Sequence, residues 1–127
     1  MAHFDVPRNL PHAATVTRRI AERLRKLGAE ENPDAEDLFE SLNALEERLF
    51  PFELEENGVD PVEEAAIAEQ ATGQARRVVD EIEKLAIADD RLGQAVRNLF
   101  ECLGHGEEGA EISLRAGENP GSLMRPF

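Results

Sequence analysis

The sequence predicts an all-α fold: an antiparallel up-down-up-down four-helix bundle over residues 11–115, flanked by a flexible N-terminal arm (1–10) and a flexible C-terminal tail (116–127). Three observations predict it. Leu38, Leu42, Leu45, Leu49 and Phe52 recur at steps of four, three, four and three, the narrow apolar seam of a helix that others must cover. Three further segments carry the same period, and short connections rich in Gly, Pro, Asp and Asn separate all four. A chain of 127 residues makes one domain with a real core.

The elements follow in order. Residues 1–10 contain Pro7 and no apolar period, and read as an arm. Pro11 suits a first helical turn, where its missing N–H costs nothing. Helix 1 should run to Leu27, with Ala13, Val16, Ile20, Leu24 and Leu27 inward and Gly28 as the residue that ends it. Its outer face is basic, from Arg18, Arg19, Arg23, Arg25 and Lys26. Asn32-Pro33, followed by Asp34, Glu36 and Asp37, signals the start of helix 2. Phe39 and Phe50 should widen its stripe, and Pro51 should kink or end it. Asn57-Gly58 reads as a turn.

Asp60-Pro61 with Glu63 gives a cap, a proline in the first turn and a capping-box acid. Helix 3 should extend from there to about Ala88 through Ile67, Ala71, Ala75, Val78, Ile82 and Leu85. Asp89-Asp90 opens helix 4, with Leu92, Val96, Leu99, Phe100 and Leu103 inward, and Gly104-His105-Gly106 ends it. A short further piece is expected around Ala110 to Leu114.

Composition narrows the function classes. The formal net charge is −13, and Trp and Tyr are absent. That field repels nucleic acid and anionic membranes, and no strong base-stacking platform is on offer. No apolar run nears the roughly 20 residues of a membrane span, and no secretory leader pattern opens the sequence. One cysteine, Cys102, cannot close an intrachain disulfide. These features place the expected setting in the cytoplasm. Between Glu30 and Glu69 there are fifteen acids and one base, Arg48, an acidic stretch that should attract basic helix 1. A solvated surface is the ordinary reading of such a stretch; a cation or basic-partner site is the functional one.

No nucleophile elbow, phosphate loop, paired-cysteine motif or HExxH pattern occurs. No Glu precedes a helical His by three residues, which disfavours a ferritin-like oxidase. His3 sits in the arm and His12 opens helix 1. His105 stands between two glycines at the end of helix 4, where a helix dipole favours its charged form. Cys102, near the core face, reads as a buried inert thiol.

Leu49-Phe50-Pro51 after Glu46-Glu47, Glu69-Gln70 on helix 3, His105 with Glu107-Glu108 after helix 4, and His12 ahead of the helix 1 stripe together resemble the hemerythrin-like, cation-binding four-helix bundles. The likeness spans about residues 10–115. It implies a bundle built around a metal site, with iron or another divalent metal as cofactor. The usual ligand positions are altered: Ser41 and Leu45 stand at two of them on helix 2, Gln70 replaces a histidine on helix 3, and Gly109 takes a place after helix 4. An alkyl group at Leu45 cannot ligate, and two histidines cannot fill a di-iron shell.

The expectation is therefore a non-catalytic, metal-free bundle that acts as a binding or regulatory module for a partner protein or a small apolar ligand. The first alternative is a metal- or oxygen-handling bundle whose rebuilt site uses His12, Glu47, Glu69, His105 and Glu108. The second is an encapsulated cargo or adaptor recruited by its tail, because Gly121-Ser122-Leu123 is similar to the short peptides that dock cargo into encapsulin shells. A second copy of the chain could also cover the leucine seam, giving a homodimer.

Overall fold

A computed structural model of the chain describes residues 8–54 and 60–112. The described residues form an all-α fold with no strand. Five α-helices follow in order: α1 (Leu10–Lys26), α2 (Glu36–Leu54), α3 (Pro61–Lys84), α4 (Asp90–Cys102) and α5 (Gly106–Ala110). Two short 3-10 turns, Ala29–Glu31 and Pro33–Ala35, link α1 to α2. Asn57-Gly58, His3 and the Gly121-Ser122-Leu123 segment lie outside the described residues.

The starts of α1, α3 and α4 are chemically signed. Asn9 accepts the His12 N–H, Asp60 accepts the Val62 N–H, and Asp89 accepts the Leu92 N–H. These side-chain oxygens satisfy donors that a first helical turn leaves without partners. The leucine stripe behaves as its spacing predicts: Leu38, Leu42, Leu45, Leu49 and Phe52 are all buried. They meet Leu10, Ala13, Val16, Ile20 and Leu24 of α1, and Leu92, Val96, Leu99 and Phe100 of α4, in one continuous core. Ala68, Ala71, Ala75, Val78, Val79 and Ile82 add the face of α3. Two polar side chains, Thr17 and Thr72, are buried as well, and each hydroxyl donates to a carbonyl one turn back, of Ala13 and Ala68.

Contacts give the pairwise directions. Helix α1 packs on α2 and α4, and α2 packs on α3. The start of α1 meets the end of α4, where the Asn9 N–H donates to the Cys102 carbonyl at 2.8 Å. The end of α1 meets the start of α4, where Arg23 holds Asp89. Likewise Arg18 reaches Glu46 at 3.4 Å, while Arg25, further along α1, lies over the earlier Phe39 ring of α2. Both neighbours of α1 therefore run against it. The backbones of α3 and α4 approach each other at fewer points than the other neighbouring pairs do.

The structure corrects several sequence-based expectations. Leu10 already belongs to α1 and is fully buried, so the helix begins one residue before Pro11. Leu27 is 40% exposed, because the helix stops at Lys26 and Gly28 turns the chain away with φ +85°. Phe50 is 45% exposed: it sits about 100° round the helix from buried Leu49. Pro51 does not end α2. It falls in the last turn, where only the Glu47 carbonyl loses a donor, and the helix continues to Leu54. Helix α3 stops at Lys84, short of Ala88, and a short helical piece forms at Gly106–Ala110, while Ser113 and Leu114 of the piece expected around Ala110 to Leu114 lie outside the described residues.

The end of α3 holds a testable strain. The Ile87 N–H donates to the Ile82 carbonyl and the Ala86 N–H to Glu83, a paired C-terminal turn that requires a left-handed residue between them. That residue is Ala86, at φ +57°. The same turn after α4 places Gly104 there, at φ +88°. Ala86→Gly is expected to stabilise the fold by about 0.5–1 kcal/mol, since a left-handed alanine costs about 1–2 kcal/mol and glycine's extra freedom when unfolded returns part of that. Thermal unfolding followed by circular dichroism measures it; a lower midpoint would contradict the assignment.

Candidate functional site

Three of the five residues proposed as metal ligands meet. Glu69 projects from the first half of α3, and Arg76 follows two turns later on the same face. Gly104 reverses the chain after α4 and sets half-buried His105 at the start of α5, which in turn carries Glu108. His105 Nε2 lies 2.9 Å from Glu69 Oε2. A carboxylate only accepts, so Nε2 bears the proton and donates. His105 Nδ1 is 3.9 Å from Glu108 Oε1, too far for a hydrogen bond. Both oxygens of Glu108 accept instead from Arg76, Nε at 2.7 Å and Nη2 at 2.9 Å. The hydrogen bond from Arg76 holds the Glu108 carboxyl below its ordinary range, and nearby His105 adds to the effect.

The other two proposed ligands stand elsewhere. His12 is exposed on the first turn of α1, and Glu47 is exposed on α2. No contact joins either of them to Glu69, His105 or Glu108, and among the described residues no group of three His, Cys, Asp or Glu side chains is placed to hold a metal ion. At Gln70, the altered ligand position on α3, the amide oxygen accepts from Arg48 of α2, which also reaches Gln74 at 3.0 Å. Leu45 is fully buried in the core.

No family model, no curated protein and no solved structure matches the chain. The functional reading rests on its own residues. The cluster of α3 and α5 is two carboxylates closed by an imidazole and a bidentate guanidinium. Such a set can clamp two segments together, but it presents no activated nucleophile. Cys102 adds none: burial, with the charge of Glu101 behind it, pushes its thiol up and keeps it protonated.

A second feature lies at the opposite end of the molecule. A cavity of about 310 Å³ opens between the end of α1 and the turn from α3 to α4, lined by Leu27, Gly28, Ala29, Asn32, Ile87 and Ala88. Leu27, freed from the core by the early end of α1, forms part of its wall. A larger and far more polar groove of about 610 Å³ runs between α2 and α3, with Asp37, Ser41, Gly73, Arg77, Asp80 and Lys84 among its walls.

Sequence reasoning missed Arg76, although its place two turns beyond Glu69 on one helical face is a readable signal. It also missed the cavity, because Leu27 continued the apolar spacing of helix 1 and was assigned inward. The bond between Arg23 and Asp89 had no local signal, since the two lie far apart in the chain.

Proposed function

We propose that the chain is a non-catalytic binding module, an up-down-up-down four-helix bundle of hemerythrin-like layout without the metal site, which takes a small apolar ligand or an apolar side chain of a partner protein at the end where Leu27 and Ile87 face each other. The observation that carries this reading is the open cavity there: its volume lies at the lower edge of the range of small-molecule sites, and Leu27, Ala29, Ile87 and Ala88 supply the apolar half of a lining that Asn32 and backbone groups complete. The antiparallel pairing of α1 with α2 and with α4 supports the topology. The pairing of Glu108 with Arg76 supports a structural use of that carboxylate.

The neutral dye Nile red serves as the apolar probe. Saturable fluorescence enhancement is expected with the native chain, and Ala88→Trp, which puts a large ring into the cavity, is expected to weaken it by about tenfold or more. Non-saturable enhancement, or binding untouched by Ala88→Trp in a protein of native helicity, removes the site. The metal-handling alternative is separated by metal analysis of freshly purified, untagged protein. Iron, manganese or zinc near one per chain, lost in Glu69→Gln/His105→Ala, would replace the binding reading with a metal centre rebuilt from Glu69, His105 and Glu108.

A further inference from the structure

The geometry points to α5 as a releasable strap that closes the seam between α3 and α4. Three observations converge on it. The backbones of α3 and α4 come close at few points, so this is the widest seam between neighbouring long helices. Helix α5 lies on α4 with almost no clearance: a Cβ on Gly109 would stand 2.7 Å from Phe100 Cβ and 3.1 Å from the Arg97 carbonyl oxygen. Arg97 also donates from Nη1 to the Ile112 carbonyl at 3.1 Å, fastening the residues just after α5 to the same helix. From that seat the α4–α5 turn and α5 reach across to α3 through two polar links, His105 to Glu69 and Glu108 to Arg76.

The side toward α4 is therefore a steric fit, and the side toward α3 is ionic and mostly solvent-exposed: the Glu69 and Arg76 side chains are 67% and 52% exposed. Exposed ion pairs are weak individually and weaken further in salt. The links to α3 should break before the core does. Release would loosen α3 from α4 as a unit, while α1 and α2, packed on each other through large side chains, hold. The strap gives the fold a defined opening, short of global unfolding, along the seam between α3 and α4.

Native-state hydrogen exchange of the whole chain, read by mass spectrometry, tests this. Amides of α5 and of the first half of α3 are expected to exchange faster together at about 1 M NaCl, while α1 and α2 stay unchanged. Arg76→Glu should speed both segments by about threefold to tenfold, and adding Glu108→Arg should restore them. Gly109→Ala, which forces α5 off α4 without altering a charge, should speed the same amides by about tenfold or more. Acceleration of α5 alone would overturn the strap, as would equal acceleration of all helices in the charge variants. Failure of Glu108→Arg to restore Arg76→Glu would do the same. If Gly109→Ala does not fold, the charge-reversal pair decides the matter.

Discussion

Phe100→Ala is expected to lower the stability of the fold by about 3–5 kcal/mol, the usual cost of emptying a buried phenylalanine site. Among the described residues, Phe100 is the largest side chain that is fully buried. It sits in α4 between the leucine face of the core and the backbone of α5, against Gly109. Its own helix cannot follow the lost ring inward, because it is held at both ends. Helix α4 is tied at its start by Asp89 to Arg23, and at its end by the Cys102 carbonyl to Asn9. The cavity left behind should persist, and the cost should lie toward the upper end. A domain of this size is stable by about 5–15 kcal/mol, so the variant stands near the limit of folding. Urea unfolding followed by far-ultraviolet circular dichroism measures it, since the chain has no Trp or Tyr to report by fluorescence. A loss below about 1 kcal/mol would mean that the core does not depend on this ring.

Asp89→Ala should cost about 2–3 kcal/mol, because one carboxylate serves two helices. Its Oδ2 accepts the Leu92 N–H and so starts α4, while Arg23 of α1 donates to both oxygens at 2.8 and 2.7 Å. The pair is largely shielded from solvent, with 26% of Arg23 and 15% of Asp89 exposed, unlike the open pairs elsewhere on the surface. The hydrogen bond from Arg23 lowers the Asp89 pKa from 3.8 to about 2. A carboxyl depressed on folding stabilises the fold above its unfolded pKa, and that contribution fades as pH falls through the folded value. The native chain should therefore lose this increment between about pH 4 and pH 2. Glu108, also held low by its guanidinium partner, acts in the same direction. Asp89→Asn keeps an oxygen for the Leu92 N–H and loses the ion pair, so it should cost less than Asp89→Ala and flatten the acid limb of the stability profile. An unchanged acid limb in Asp89→Asn would show that Arg23 contributes nothing through this contact.

The extent to which the sequence was legible follows from the range of each interaction. The leucine seam of α2, the caps at Asp60 and Asp89, and the glycine turns at Gly28 and Gly104 are local, and spacing along the chain displays them. Phe50 and Leu27 were misjudged because each extends an apolar stripe by one step, and only the surrounding helices determine where a stripe stops. Pro51 reads from the sequence as a kink or an end, whereas a proline in a last turn removes one bond and lets the helix run on to Leu54. Of the candidate site, Glu69, His105 and Glu108, expected as metal ligands, lie near one another in a cluster of polar links that includes Arg76. His12 and Glu47 were assigned with them from layout, but lie on other surfaces. What no pattern could show is that Arg76 occupies Glu108. Long-range pairing of that kind depends on which helices become neighbours.

The hydrogen bond from Asn9 to Cys102 also has a bearing on how the molecule can be rewired. It brings the entry into α1 beside the exit from α4, so residues 8 and 112 sit on the same end of the fold, away from Leu27 and Ile87. Segments that continue from residues 8 and 112 leave the described fold at the end away from the cavity mouth. The same adjacency makes residues 8–112 suited to circular permutation: a linker can bridge residues 8 and 112, and new ends can be opened in the turn between α1 and α2 without crossing a helix.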